Sequence, residues 1–435
     1  MARHLKRNRP ADWPIWFEPK GYPHFDEPIR DPRSIQPFVE SEAGIARHAF
    51  LPFIHFSKTV RKYKRDEGRF VKKDRPLSYA GHKDSQIFRR YSLLLTEKYE
   101  DALAASGLGK SVIAYRRFHP PKCNIHFANE AFRFIEQHAP CVAMAFDVKD
   151  FFESLNHKLL KSQWKAVMAV KELPPDHYSV FRAITQYSKV DRDALYARLK
   201  ISKKKAASLR GAICTPAEFR ELVRTKDKTQ NLIETKRDGK GVPQGSPVSA
   251  LLSNIYMLPV DTLMEEMVRE AKGLYFRYSD DILIVCPVDR REAIEDRLRR
   301  LMESVCLHVH EGKEKCVVAT FNRDASGSLT CDRPLQYLGF IFDGRFARVR
   351  SQTLTRFLRR MRKAVRRERY DAERLAQKGQ PLRVRRKFLY SDYSHLGTDN
   401  FLSYTRKAAA ILDKNKIREQ IKKHWPGLHA MLEIE

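Results

Sequence analysis

From Ser85 to Leu103 the apolar residues Ile87, Tyr91, Leu94, Leu95 and Tyr99 recur at helical spacing, which predicts a helix. Ser111 to Tyr115 (SVIAY) reads as a short strand, and Ala128 to Ile135 returns to helical spacing. Cys141 to Val148 (CVAMAFDV) has the continuous apolar pattern of a buried strand and ends in a carboxylate. Residues 158–240 are polar and predicted largely helical, and Ser246 to Met267 is a long apolar helix candidate. Gly273 to Cys286 reads as strand, turn, strand, with Asp280 and Asp281 at the turn. Arg290 to Ser304 predicts an amphipathic helix and Leu335 to Phe342 another strand pair. Beyond residue 350 the pattern is helical, with Leu354, Phe357, Leu358, Met361 and Val365 on one stripe. Residues 1–45, rich in Pro, Trp and charge, predict an irregular extension draped over other elements. The sum is an open α+β domain whose strands carry acidic residues at their ends.

Composition narrows the chemistry. With 435 residues, 42% hydrophobic, the chain has material for a sizeable core and two to four subdomains. Its 83 Lys and Arg against 53 Asp and Glu leave a formal net charge of +30, which calls for a polyanionic partner, nucleic acid first. No apolar run approaches the roughly 18 residues of a membrane span, and the basic N-terminus lacks the apolar stretch of a signal peptide. Seven scattered Cys with no CxxC pair argue against a zinc site or disulfide framework and for a reducing cytoplasm.

Against that background the acidic residues stand out. Phosphoryl transfer from a nucleoside triphosphate needs positioning and charge neutralisation more than covalent chemistry. Two Mg²⁺ ions about 3.5–4 Å apart supply this in polymerases, and hard cations take carboxylate oxygens. Asp147 ends the strand in AFDVKDFF, and Asp280 and Asp281 form the turn in FRYSDDILIV. Adjacent carboxylates between buried strands are costly unless a cation neutralises them, whereas a lone Asp in a turn is ordinary. Between these segments lies GVPQGSPVSALLSNIYM, where Gly241, Pro243, Gly245 and Pro247 set an unusual backbone at a helix entrance. Ser246 is placed there to cap the helix.

FDVKDFF, GVPQGSP, YSDD and QYLGF, in that order, resemble the ordered motifs of reverse transcriptases, over a stretch from about Pro76 to Phe342. The resemblance implies a right-hand polymerase: fingers at 46–140, a palm with an RRM-like antiparallel sheet from 141–157 and 241–342, a helical connection at 158–240, and a helical basic thumb from 343–435. It implies an RNA template, a cDNA product, dNTPs, and two Mg²⁺ ions for which Mn²⁺ is an expected substitute; oligomeric state stays open. Asp147, Asp280 and Asp281 correspond to the metal-binding and catalytic residues, with Val148 in the metal set. Phe152 corresponds to the steric gate against a ribose 2′-hydroxyl, Gln244 to the nucleotide pocket, and Lys313 to a general acid near the leaving pyrophosphate. Tyr337, Leu338 and Gly339 correspond to the primer grip. Arg75 and Arg116 resemble the residues that hold the triphosphate, with Arg117 and Lys122 as competitors.

Arg356, Arg359, Arg360, Arg366 and Arg367 fit a thumb helix tracking a duplex backbone, or a solvated helix face. RPLSYAGHKDSQIF and VSALLSNIYM resemble the abortive-infection and unknown-group branch of bacterial reverse transcriptases. A defence enzyme copying a neighbouring non-coding RNA is therefore expected, a type 2 defence-associated system first. A vestigial RNA-binding scaffold, an untemplated terminal polymerase and an RNA polymerase are the competing readings. Tyr390, Tyr393 and Tyr404 offer hydroxyls for protein priming or, more simply, packing.

Overall fold

The computed structural model describes residues 10–64, 68–312 and 316–432. In chain order its strands are β1 (Phe53–Lys64), β2 (Arg69–Tyr79), β3 (Cys141–Asp147), β4 (Ser188–Asp191), β5 (Ile233–Thr235), β6 (Leu274–Tyr278), β7 (Asp281–Cys286), β8 (Cys316–Arg323), β9 (Leu329–Cys331), β10 (Leu335–Tyr337), β11 (Phe340–Phe342) and β12 (Ala347–Val349). The helices needed below are α1 (Glu42–Ala46), α2 (His82–Ala105), α3 (Asn124–His138), α4 (Phe151–Ser154), α5 (Pro175–Thr185), α6 (Ser249–Glu270), α7 (Arg291–Ser304), α8 (Ser351–Ala376) and α9 (Phe401–Ile411). The chain is α+β, with mostly antiparallel sheets and a helical C-terminal part. Among the described residues no helix is long and apolar enough to cross a membrane. All seven cysteines are free thiols.

The chain divides into two compact units. The first comprises residues 1–115, 149–262 and 300–308 and carries a sheet in the order β2-β1-β4-β5. β1 and β2 form a long antiparallel ribbon from Ile54↔Tyr79 to Lys64↔Arg69, while β4 joins in parallel only along Phe53–His55. This ribbon is absent from the expectations above because FIHFSKTVRKYK turns polar as it leaves the core, so no period-2 apolar face marks it. α2 buries Ile87, Phe88, Tyr91, Leu95, Tyr99 and Leu103; of the residues its spacing singles out, Leu94 alone is only half-buried. The N-terminal segment interlocks with α2: the Gln86 amide exchanges hydrogen bonds with the Glu18 backbone at 3.1 and 2.8 Å, and Asp26 accepts from the His82 and Lys83 amides at 2.9 and 3.0 Å. The stretch 158–240 is largely helical, but the strands β4 and β5 interrupt it and complete the sheet. Ser111–Tyr115, expected as a strand, is not one; Val112, Ile113 and Ala114 are buried in an irregular run that ends at Tyr115 with φ +61°. Apolar burial alone produced the strand-like pattern there.

The second unit comprises residues 116–148, 263–299 and 309–435. Its five-stranded antiparallel sheet runs β6-β7-β3-β8-β9, with a three-stranded sheet β10-β11-β12. α3 presents Ile125, Phe127, Ala128, Ala131, Phe132 and Ile135 as its buried face, and Phe132 stacks on Phe342 at 4.7 Å. At the C-terminal end Phe357, Met361 and Val365 of α8 pack with Leu389, Leu402, Ile421, Leu428 and Leu432 in a separate small core.

Candidate active site

In the second unit β3 lies between β7 and β8, every residue from Cys141 to Met144 buried. Its register with β7 runs Val142↔Cys286 to Asp147↔Asp281. Directly opposed residues of an antiparallel pair stand about 4.5–5.5 Å apart at Cα and project to the same face. Asp147 and Asp281 are therefore a facing pair. β6 and β7 close through a two-residue turn, Ser279-Asp280, between the paired Tyr278 and Asp281. Ser279 takes the left-handed conformation at φ +61° and is buried. The Val148 amide donates to the Asp280 carbonyl at 3.0 Å, extending the ladder past the carboxylates. The His310 amide donates to the Asp147 carbonyl at 2.9 Å. Asp147 and Asp280 are half-buried and Asp281 is exposed.

Acceptor-only carboxylates at the edge of an apolar sheet suit a hard divalent cation. Among the described residues no three His, Cys, Asp or Glu side chains already converge as a metal cage. Neighbouring carboxylates repel, and a divalent cation between them would offset that repulsion. The backbone register fits the group, and Asp147, Asp280 and Asp281 would hold it.

Arg277, two residues before the turn, was not foreseen. It is fully buried, and its Nη1 donates to the Ser279 carbonyl at 3.2 Å. A guanidinium inside a strand whose neighbours are apolar is costly unless held by such bonds. The signal in the sequence was the one basic residue in an otherwise buried run, LYFRYSDDILIV.

The β10–β11 hairpin carries the expected primer-grip residues. Tyr337 pairs with Phe340, leaving Leu338 and Gly339 as the turn, at φ +45° and +94°. A bulky residue such as Leu in this region is strained. Two bonds fix it: Asn124 Nδ2 donates to the Leu338 carbonyl at 3.0 Å, and the Arg350 amide to the Gly339 carbonyl at 3.1 Å. Tyr337 is buried and its hydroxyl has no hydrogen-bond partner among the described residues. Burial pushes its phenol well above the ordinary value, and the Asp281 charge adds to the shift. Hairpin and carboxylate pair therefore lie within electrostatic reach in one unit. Tyr404, a candidate priming hydroxyl, accepts from Asn124 at 2.9 Å and stacks on Phe340, a packing role. Tyr390 and Tyr393 likewise pack among the residues of the C-terminal core.

Arg356, Arg359, Arg360, Arg366 and Arg367 are exposed along α8, with Arg367 3.9 Å from Asp371. Arg116 is half-buried beside the Phe118 ring, 5.0 Å from its centroid. Of its competitors, Lys122 is tied to Glu130 at 2.7 Å and Arg117 is exposed. Lys313 lies outside the described residues.

In the first unit main-chain bonds tie the Phe152 and Gln244 segments to their neighbours. The Val242 amide donates to the Phe152 carbonyl at 2.8 Å, and the Ser78 amide to the Gln244 carbonyl at 2.8 Å. Arg75 sits three residues before Ser78 on β2, exposed and opposite Lys58. Gly241 (φ +81°) and Gly245 (φ +114°) are required here: a Cβ on Gly241 would come 2.6 Å from the Glu153 carbonyl oxygen, and one on Gly245 would strike that of Ser78. Phe152 and Gln244 are both half-buried. Ser246, expected to cap α6, does not. The helix begins at Ser249, whose Oγ donates to the Pro243 carbonyl at 2.7 Å, while the Ser246 hydroxyl is buried without a partner among the described residues.

A sequence profile of the family described as Reverse transcriptase (RNA-dependent DNA polymerase) matches residues 111–342. The match starts later than the expected Pro76, so the ribbon bearing Arg75 lies outside it. No curated protein matches the chain. Solved structures similar to it include apo telomerase from Candida tropicalis truncated from the C-terminal domain, at 15% identity and TM-score 0.39, covering 66% of this chain and 53% of that one. Telomerase from Candida albicans in complex with a fragment of telomeric RNA is 16% identical, TM-score 0.37, covering 73% and 49%. The chain spans about half the length of these telomerases.

Proposed function

This chain belongs to the reverse transcriptase family, and we propose that it is an RNA-directed DNA polymerase that copies a structured non-coding RNA into cDNA in antiphage defence. One observation carries the polymerase reading: the register that sets Asp147 opposite Asp281, beside Asp280, at the end of a buried strand pair. Divalent ions there, Mg²⁺ or in substitution Mn²⁺, supply Lewis acidity to the attacking hydroxyl and the triphosphate when bound. The aspartates and the main chain at Val148 hold them.

The chain's own groups do the rest. Tyr337, Leu338 and Gly339 support the primer end on a turn fixed by Asn124 and Arg350. Phe152 excludes a 2′-hydroxyl by bulk, which selects dNTPs, and Gln244 lines the same nucleotide pocket on a loop its glycines hold close. Arg75 and Arg116 bind the triphosphate, the guanidinium fork matching two phosphate oxygens at once. Lys313 protonates the departing pyrophosphate. Arg356, Arg359, Arg360, Arg366 and Arg367 hold the duplex backbone without reading bases. Fingers at 46–140, palm at 141–157 and 241–342, and thumb at 343–435 are the boundaries this assignment uses. The defence role rests on the resemblance of RPLSYAGHKDSQIF and VSALLSNIYM to the abortive-infection branch.

The test is incorporation on an RNA template with a DNA primer and Mg²⁺, with product sequencing. Templated dNTP incorporation that Asp280→Ala lowers by about a hundredfold or more, the scale for losing a group that stabilises transition-state charge, is the expected result. Preference for NTPs would support an RNA polymerase, and untemplated tracts a terminal transferase. A competing scaffold reading draws on the lack of a preformed carboxylate cage among the described residues; RNA binding without any incorporation by the wild-type chain would establish it.

A further inference from the structure

We propose that a groove in the first unit, formed by α1, α5 and the loop between α1 and β1, binds a single-stranded segment of RNA, separately from the template and primer positions assigned above. The cavity is about 340 Å³, and neither Asp nor Glu lines it. Its floor is aromatic. Phe50 stacks on Phe88 at 5.3 Å, and the buried Phe53 meets the Tyr187 ring edge-on at 5.4 Å. Its rim is cationic and polar: Arg47 and Arg182 are exposed, with Ser179, Gln186 and Ser188 between them. Tyr178, 41% exposed, lines the groove and stacks on Phe181 at 6.3 Å, and Lys161, paired with Glu172 at 3.6 Å, lies 5.0 Å from its centroid.

The loop is held from beneath. The buried Asp84 carboxylate takes His48 Nε2 at 2.7 Å and the Leu51 amide at 2.8 Å, so the segment carrying Phe50 is fixed before any ligand arrives. A preset loop lowers the ordering cost of binding. Aromatic side chains beside guanidinium groups, with no carboxylate in the lining, match a nucleotide: the base stacks and the phosphate meets the cations. The groove is open and has no Gly-rich phosphate loop, which suits one or two nucleotides of a strand that continues beyond it more than a captured mononucleotide. None of the groups already placed in the polymerase site lines it. The inference shares the RNA partner with the proposed function and does not depend on its chemistry.

The experiment compares wild type with the Arg47→Glu/Arg182→Glu double variant and with Tyr178→Ala. It measures binding of a labelled unstructured 20-nucleotide RNA across a salt series, and dNTP incorporation on a preannealed RNA·DNA primer-template. The double variant is expected to bind the RNA about tenfold more weakly, and the slope of log affinity against log salt is expected to fall by about 1.4, two single-strand contacts at about 0.7 each. Tyr178→Ala should weaken binding without changing that slope. Incorporation on the preannealed duplex should stay near the wild-type rate. Arg47→Lys/Arg182→Lys, which keeps the charge, should restore most of the salt slope and shows that the fold is intact. Unchanged RNA affinity and slope in the double variant overturns the proposal. So does saturable ATP binding that the double variant abolishes while RNA binding is unaffected, because the groove is then a mononucleotide site. Because binding is read without polymerisation, an inactive wild type refutes the polymerase reading and leaves this result standing.

Discussion

On the β6–β7 hairpin, two carboxylates occupy adjacent positions at a tight turn whose flanking strands are buried. On α8, five arginines spread over about three turns of an exposed face. Both are proposed to meet the same polyanion, and they depend on the backbone in opposite ways. The hairpin works through register: a slip of one residue would send Asp281 to the other face of the sheet. The helix works through number: its cations act on a screened, non-directional field, and each contributes a share. The difference teaches that where charge must be placed to within an ångström the chain fixes its backbone between buried strands, and where charge need only be abundant it sets it on a solvated helix face.

Mutations can break that comparison. The larger effect is expected at Arg277, the buried residue that braces the turn through the Ser279 carbonyl. Arg277→Met removes the bond to the Ser279 carbonyl and should lower the rate of single-nucleotide incorporation by about tenfold or more, since each 1.36 kcal/mol of lost transition-state stabilisation is tenfold. KM for dNTP and RNA affinity should change little, and Arg277→Lys should recover part of the rate. A proportional loss in thermal stability and in all functions alike would instead mark Arg277 as a core residue only. The smaller effect is expected on α8. Arg359→Gln or Arg366→Gln should weaken duplex binding about two- to threefold at physiological salt and reduce the salt slope by about 0.9 if a B-form phosphate contact is lost. The chemical step should be unaffected. A loss at one of these arginines as large as that at Arg277 would erase the distinction between register and number.

What the sequence revealed follows the same division. β3 and the β6–β7 hairpin were legible because CVAMAFDV and YFRYSDDILIVC are short apolar runs with turn chemistry between them, and burial on both faces left little ambiguity. The stripe on α8 was legible from its 3.6-residue period, and Phe357, Met361 and Val365 are its buried residues. The β1–β2 ribbon was not, because its sequence turns polar after Phe56 and carries no sustained period-2 apolar pattern. SVIAY misled because burial without a ladder looks the same as burial with one. Ser246 misled because a Ser before an apolar helix satisfies the capping rule, yet the helix starts at Ser249 and the Ser246 hydroxyl is buried with no partner among the described residues. Arg277 was overlooked because a single basic residue in a chain with 83 of them carries no contrast until its burial is known. The long-range bonds of Asn124 to Leu338 and Ser78 to Gln244 join segments far apart in sequence, and no local pattern encodes them.

The central claim is that Asp147 and the Asp280–Asp281 turn hold divalent ions as a unit. The most direct measurement is Mn²⁺ binding by electron paramagnetic resonance, with primer-template and a non-hydrolysable dNTP present, on wild type and on Asp147→Asn. The account predicts tight Mn²⁺ sites in the wild type and their loss in the variant, which removes one negative charge while nearly preserving shape. Equal Mn²⁺ binding by the two proteins would contradict it.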